Sequence, residues 1–144
     1  MQSQFDNRYV PLILDAIEQG VFTVDESTRI TSFNRAACLI TGYEPEEAIG
    51  RQCSEIFQTN LCAGTCPLKQ SMGARESIRR QQVRIQTRDG RSVPILVSTS
   101  PLVSPNGALI GGVEMFRDIS GMEALRRKLD GQYEFEDIIS RNAE

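Results

Sequence analysis

Four cysteines carry most of the chemical potential of this chain, and three fall in one segment: Cys53, Cys62 and Cys66, spaced C-x8-C-x3-C. Gly64 and Pro67 interrupt helical continuity around Cys66, so the two nearer thiols converge through a loop. Pro67 suits the first position of a helix, which puts Cys66 near that helix's positive end, where a thiolate is favoured. Three convergent thiolates suit an iron–sulfur cluster or a zinc ion. No fourth ligand is evident, since Cys38 stands beside Ala37 in a separate segment. Two other readings stay open. The cysteines can serve as small, inert buried hydrophobes, or Cys62 and Cys66 can form a reversible disulfide.

What is missing narrows the chemistry further. The chain has no histidine and no tryptophan. That excludes Ser-His-Asp and Cys-His catalysis, histidine-ligated haem and histidine-containing zinc sites. The stretch from Arg75 to Arg91 holds six arginines and two acids. It comes with no recognition helix and no interleaved aromatics, so it reads as the solvated face of two strands rather than a nucleic-acid surface. Asp25, Asp89 and Asp118 sit where turns and caps are wanted and take no acid–base role.

The elements that must position these residues belong to one ordinary domain. The 144 residues are 40% hydrophobic and 24% charged, with a formal charge of −3 from 16 basic and 19 acidic side chains. A core of this size needs neither disulfide nor metal to form. The charge balance gives no long-range reason to bind nucleic acid or an anionic membrane. No run of about 18 apolar residues is present, and Met1 to Tyr9 lacks the layout of a signal peptide. The expectation is a cytoplasmic protein whose cysteines are reduced thiols or metal ligands.

Along the chain, Pro11 opens a short helix carrying Leu12, Ile13, Ala16 and Ile17, ended by Gly20. Val21 to Asp25 and Arg29 to Phe33 form a hairpin around Glu26-Ser27-Thr28. Asn34 caps a small helix with Ala36, Ala37, Leu39 and Ile40, stopped by Gly42. Short helices and loops follow to about Ile78. Then the period changes to two: Val83, Ile85 and Thr87 alternate with Arg84, Gln86 and Arg88. Asp89-Gly90 turns the chain into a strand with Val93, Ile95, Val97 and Thr99, in which Pro94 requires an edge or a bulge. Pro105-Asn106-Gly107 turns it again into Ala108 to Arg117. The last helix carries Ile119, Met122, Leu125 and Leu129 on one face. That stripe fits either an amphipathic helix packed on its own domain or the start of a coiled coil between two chains.

This order of pieces resembles the PAS (Per-Arnt-Sim) sensor family over about Leu12 to Asp130. The resemblance rests on Gly20-Val21-Phe22-Thr23-Val24-Asp25, on Ile30 to Ala37 across the strand-to-helix step, and on Ile40-Thr41-Gly42-Tyr43. It continues through Ile49-Gly50-Arg51, Arg88-Asp89-Gly90 and Phe116-Arg117-Asp118-Ile119-Ser120. It implies an α+β fold: a five-stranded antiparallel sheet, short helices on one face enclosing a cavity, and flanking N- and C-terminal helices. The three cysteines then lie in the helical wall over that cavity, a spacing similar to one in a subgroup of sigma-54 activator PAS domains. Cys38 occupies a position that the family usually gives to an exposed polar residue. Arg51 to Phe57 does not match the Asn-Cys-Arg-Phe-Leu-Gln motif of the flavin photosensors, which argues against a flavin of that type. A small organic ligand stays open.

Tyr133-Glu134-Phe135-Glu136-Asp137-Ile138-Ile139-Ser140-Arg141-Asn142 resembles the opening of the ATPase domain of sigma-54-dependent transcription activators. The expected organisation is an N-terminal helix and dimer region (1–19), the PAS domain (20–118), a signalling helix (119–131) and the start of a truncated ATPase domain or linker (132–144). The expected function is a non-catalytic sensory and dimerisation domain. It forms a homodimer through Leu12, Ile13, Ile17, Met122, Leu125 and Leu129 and biases a downstream ATPase. The alternatives are a PAS domain of a sensor histidine kinase and a ligand-free dimerisation module.

Overall fold

A computed structural model describes residues 8–59 and 66–143, with side chains described as far as Gly131. Helix α1 (Tyr9–Ala16) is followed by strands β1 (Gly20–Val24) and β2 (Ile30–Phe33). Helices α2 (Arg35–Thr41), α3 (Pro45–Ala48) and α4 (Cys53–Ile56) lead to the short strand β3 (Gln58–Thr59). Then come α5 (Pro67–Ala74), β4 (Ile78–Gln86), β5 (Ser92–Val103), β6 (Leu109–Asp118) and α6 (Ser120–Ala143). The strands make one antiparallel sheet in the order β2-β1-β6-β5-β4-β3.

The sheet has six strands where the sequence predicts five. The addition is β3, whose Gln58 and Thr59 pair with Gln86 and Ile85. Two residues are too few to show a period, so this strand is held by its neighbour rather than announced by its own pattern. Pro94 is another correction. It lies on the inner strand β5, paired opposite Arg84, and not at an edge or bulge. Its carbonyl accepts from the Ile119 N–H at 3.0 Å. In a strand, the N and O of one residue project to the same side. The missing N–H therefore faces the place where β6 has already ended, and no ladder bond is lost.

Local chemistry sets the turns. Asp25 Oδ1 accepts from the N–H groups of Ser27 and Arg29 at 2.9 and 3.0 Å, holding the β1–β2 turn. Gly90 takes φ +87° between Thr87 and Arg91, the left-handed turn conformation that glycine adopts at little cost. Asp118 Oδ1 accepts from Ser120 N–H at 2.8 Å and starts α6. Asp25 and Asp118, with Asp89 beside Gly90 in the β4–β5 turn, are turn and cap residues, as predicted. Helix α1 begins at Tyr9 rather than Pro11 and ends at Ala16, with Ile17 already extended. Helix α6 does not stop at 131 but runs on to Ala143.

The core lies between the sheet and α2 to α5. Phe22, Phe33, Phe57 and Phe116 meet there, with ring centroids 4.7 Å apart for Phe57 and Phe116 and 5.1 Å for Phe22 and Phe57. Each such buried ring contributes about 1.5–3 kcal/mol. The buried hydroxyls of Ser71 and Thr99 bond each other at 2.5 Å, which ties α5 to β5. Alternation sends Ile95 and Val97 into this core and Leu96 to the opposite face. There Leu96 lines a groove with Met122, Leu125 and Leu129, so α6 lies on the outer face of the sheet. No helix among the described residues is long and apolar enough to cross a membrane.

Candidate functional site

Asn34 anchors one side of the domain. Its Oδ1 accepts from Val21 N–H at 2.8 Å and from Ala37 N–H at 2.9 Å. Its Nδ2 donates to the carbonyls of Leu14 and Gln19 at 2.8 and 3.0 Å. The predicted helix cap is present, and the same side chain also fixes the start of β1 and the chain leaving α1.

The cysteines divide into two environments. Cys53 opens α4, and its N–H donates to Thr28 carbonyl at 3.0 Å. Cys66 stands at the N-cap of α5 with Pro67 next to it, as the sequence predicts. Both are buried, at 7% and 9% exposure, and both line one void in the core. Cys62 falls in 60–65, outside the described residues. Cys38 is half-buried on α2 and lines a separate open cleft with Leu14, Asp15 and Glu44. Burial, with Glu44 and Asp15 adding to it, pushes its thiol up to about 11, so Cys38 is held as a neutral thiol.

The void against Cys53 and Cys66 measures about 10 Å³, room for a single water-sized guest. Its sheet side is formed by Val83, Val97 and Glu114, and the sequence alone does not single out the last. Glu114 is 3% exposed and sits on β6 between Phe22 of β1 and Thr99 of β5. Its Oε2 has no hydrogen-bond partner among the described residues. Burial away from water pushes the carboxyl up to about 8. A period-two signal was available, because Glu114 shares its face with Phe116, an obvious core residue. Glutamate's strong preference for the surface hides that signal.

Donor types therefore gather around one void from three elements: thiols from α4 and α5, a carboxyl from β6. Among the described residues, no group of three such side chains could hold a metal ion. The dimerisation residues predicted from sequence are placed at the surface. Leu12, Ile13 and Ile17 are exposed on or just after α1, which buries none of its residues. Met122, Leu125 and Leu129 are each more than half exposed along α6. The arginines of the 75–91 stretch point outward, paired with acids at Arg84–Glu123, Arg88–Glu47 and Arg91–Asp89.

A family model described as PAS fold matches residues 8–119. Among curated proteins, the signal transduction histidine-protein kinase AtoS of Escherichia coli is 25% identical over 118 residues, 82% of this chain and 19% of that protein. The sensor histidine kinase DcuS of Escherichia coli is 28% identical over 127 residues, 88% of this chain and 22% of that protein. The chain thus spans about a fifth of the length of these relatives. Among solved structures, a PAS domain from Colwellia psychrerythraea superposes with a TM-score of 0.70 at 18% identity, covering 79% of this chain and 97% of that one. The PAS domain of nitrogen regulation protein NR(II) from Vibrio parahaemolyticus gives 0.62 at 21% identity, covering 76% and 96%.

Proposed function

Because this chain belongs to the PAS family, we propose that it is a non-catalytic sensory and dimerisation module that turns a redox or metal input into a movement of α6. One observation carries the reading. Strand β6 bears the buried Glu114 and Phe116, and it passes into α6 with only Ile119 between them. A change around the cysteines repacks α4 and α5 against β6, and no loop absorbs the shift before α6. A coupling of about 1–3 kcal/mol is typical of such switches and corresponds to roughly 5–150-fold in output.

The output we favour is the ATPase of a sigma-54-dependent activator, supported by the resemblance of Tyr133 to Asn142 to the start of that domain. In that setting the protein acts in the cytoplasm, and DNA contact belongs to another domain. A sensor histidine kinase is the second reading, favoured by the names of AtoS and DcuS. The full protein incubated with terminally labelled ATP separates them. Free phosphate marks the ATPase, and label retained on a histidine marks the kinase. The sensory reading predicts that either activity changes with oxidant or chelator, and that Cys62→Ser or Cys66→Ser abolishes the response. Equal activity in all conditions, for wild type and variants alike, would point to a ligand-free dimerisation module.

A further inference from the structure

On the outer face of the sheet, Gln82 of β4, Leu96 of β5 and Arg117 of β6 stand side by side in register. They line the groove of about 380 Å³ that α6 walls with Met122, Leu125 and Leu129. Arg126 joins it from α6 and Arg80 from β4. Arg80 belongs to a β-bulge, where Arg79 and Arg80 together stand opposite Ser98. Its φ is +57°, a left-handed conformation that is unfavourable for a long side chain, and its N–H donates to Ser98 Oγ at 3.1 Å. The charges of the groove do not cancel. Glu123 is already committed to Arg84 and Arg127. Among the described residues, Asp130 is the one other carboxylate lining the groove. No acid among them forms an ion pair with Arg80, Arg117 or Arg126.

We propose that this groove binds a small organic anion, an apolar body headed by a carboxylate, and so gives α6 an input separate from the cysteines. Apolar walls with a few convergent polar groups are the usual makeup of a small-molecule site, and about 380 Å³ lies within its usual range. Three guanidiniums supply the polar end. Each is a planar fork that matches a carboxylate in two parallel hydrogen bonds, and each stays charged at physiological pH. The apolar side chains are walled by the sheet on one side and α6 on the other, which suits a single chain rather than a bilayer surface. An occupant touches the sheet and α6 at once, so it favours the docked position of α6. The proposal goes beyond the redox or metal input above and does not depend on it. Leu125 and Leu129 also belong to the surface proposed for a second copy, so the anion bears on the helix that pairs the copies.

Isothermal titration calorimetry of the 144-residue chain with sodium octanoate, below its micelle-forming concentration, tests the proposal. Wild type is expected to bind octanoate saturably, and uncharged octanol should bind at least about tenfold more weakly. Raising the salt concentration should weaken octanoate binding. Arg117→Gln and Arg126→Gln should each weaken it by roughly fivefold, the loss of one partly exposed charge contact. Arg75→Gln is the control and should bind like wild type, since that guanidinium donates to the Gly107 carbonyl at the β5–β6 turn. No saturable octanoate binding, or equal binding of octanol, would overturn the proposal on wild type alone, whatever the variants do. Equal losses in Arg75→Gln and in the groove variants would reduce the effect to net charge and would also overturn it. Phosphatidylglycerol vesicles that co-sediment the chain while octanoate fails to bind would give the basic face to a membrane instead.

Discussion

Arg84 Nη1 stands 3.4 Å from Glu123 Oε1, joining β4 to the first turn of α6. The same carboxylate holds Arg127 at 2.7 Å, one helical turn further on. A partly exposed pair of this kind adds at most about 1 kcal/mol to stability. Its larger effect is on position, because it fixes how α6 leaves the sheet. Glu123→Gln should therefore barely move the unfolding midpoint but accelerate amide hydrogen exchange in the first two turns of α6. Unchanged exchange there would show that the apolar contacts alone set the helix.

Asn34 connects three elements through four hydrogen bonds. Asn34→Ala should lower stability by about 2–4 kcal/mol, combining a lost helix cap with buried backbone groups left unpaired. Asn34→Asp keeps both acceptor bonds and loses both donor bonds, so it should lie between alanine and wild type. Urea unfolding monitored by far-ultraviolet circular dichroism measures both.

Glu114 gives the protein a definite pH dependence. Its carboxyl titrates near 8 in the folded chain, against an ordinary value of 4.5. Between those values the unfolded chain has released a proton that the folded chain keeps. The native state then binds more protons, and stability falls as pH rises. The contribution is full below the ordinary value and is lost as pH climbs through the folded one, at on the order of 1 kcal/mol per pH unit. Urea midpoints at about pH 5 and about pH 8 should show this decline in wild type, and Glu114→Gln should flatten it. An equal slope in both proteins would assign the decline to other groups.

Leu125 and Leu129 are 55% and 52% exposed on α6, and Leu12 is 66% exposed on α1. The outer-face groove beside α6 measures about 380 Å³. A second copy that covers these side chains makes the dimer proposed above. Replacing both Leu125 and Leu129 with glutamate should shift sedimentation from dimer to monomer while the sheet signal stays intact. A wild-type monomer at high micromolar concentration would remove this interface.

Much of this architecture was legible in the sequence because the physics was local. Asn34 precedes an apolar helical stripe, Asp89-Gly90 separates two alternating runs, and Pro67 follows Cys66, so the cap, the hairpin and the start of α5 fall where those residues require. Strand β3 was not legible, because Gln58 and Thr59 are ordered by β4 rather than by their own composition. The place of Pro94 was hidden for a related reason. Which side of β5 its nitrogen faces depends on where β6 ends, and a strand's own sequence does not carry that. Part of the candidate site was equally hidden. Cys53 and Cys66 attract notice as thiols, but Glu114 meets them only through the order of strands in the sheet.

The strand order β2-β1-β6-β5-β4-β3 has a consequence for how the protein is made. The last strand in the chain occupies the middle of the sheet, between β1 and β5. During synthesis the β1–β2 hairpin and the paired strands β3, β4 and β5 emerge first, and no strand of one group neighbours a strand of the other in the sheet. They can join only when β6, through Asp118, clears the ribosome, and by then α6 and whatever follows it are being translated. Closure of the domain is therefore a late, long-range event, which predicts slow folding. A nascent chain arrested before β6 should expose unpaired strand edges and recruit chaperones, whereas one arrested well beyond α6 should resist protease.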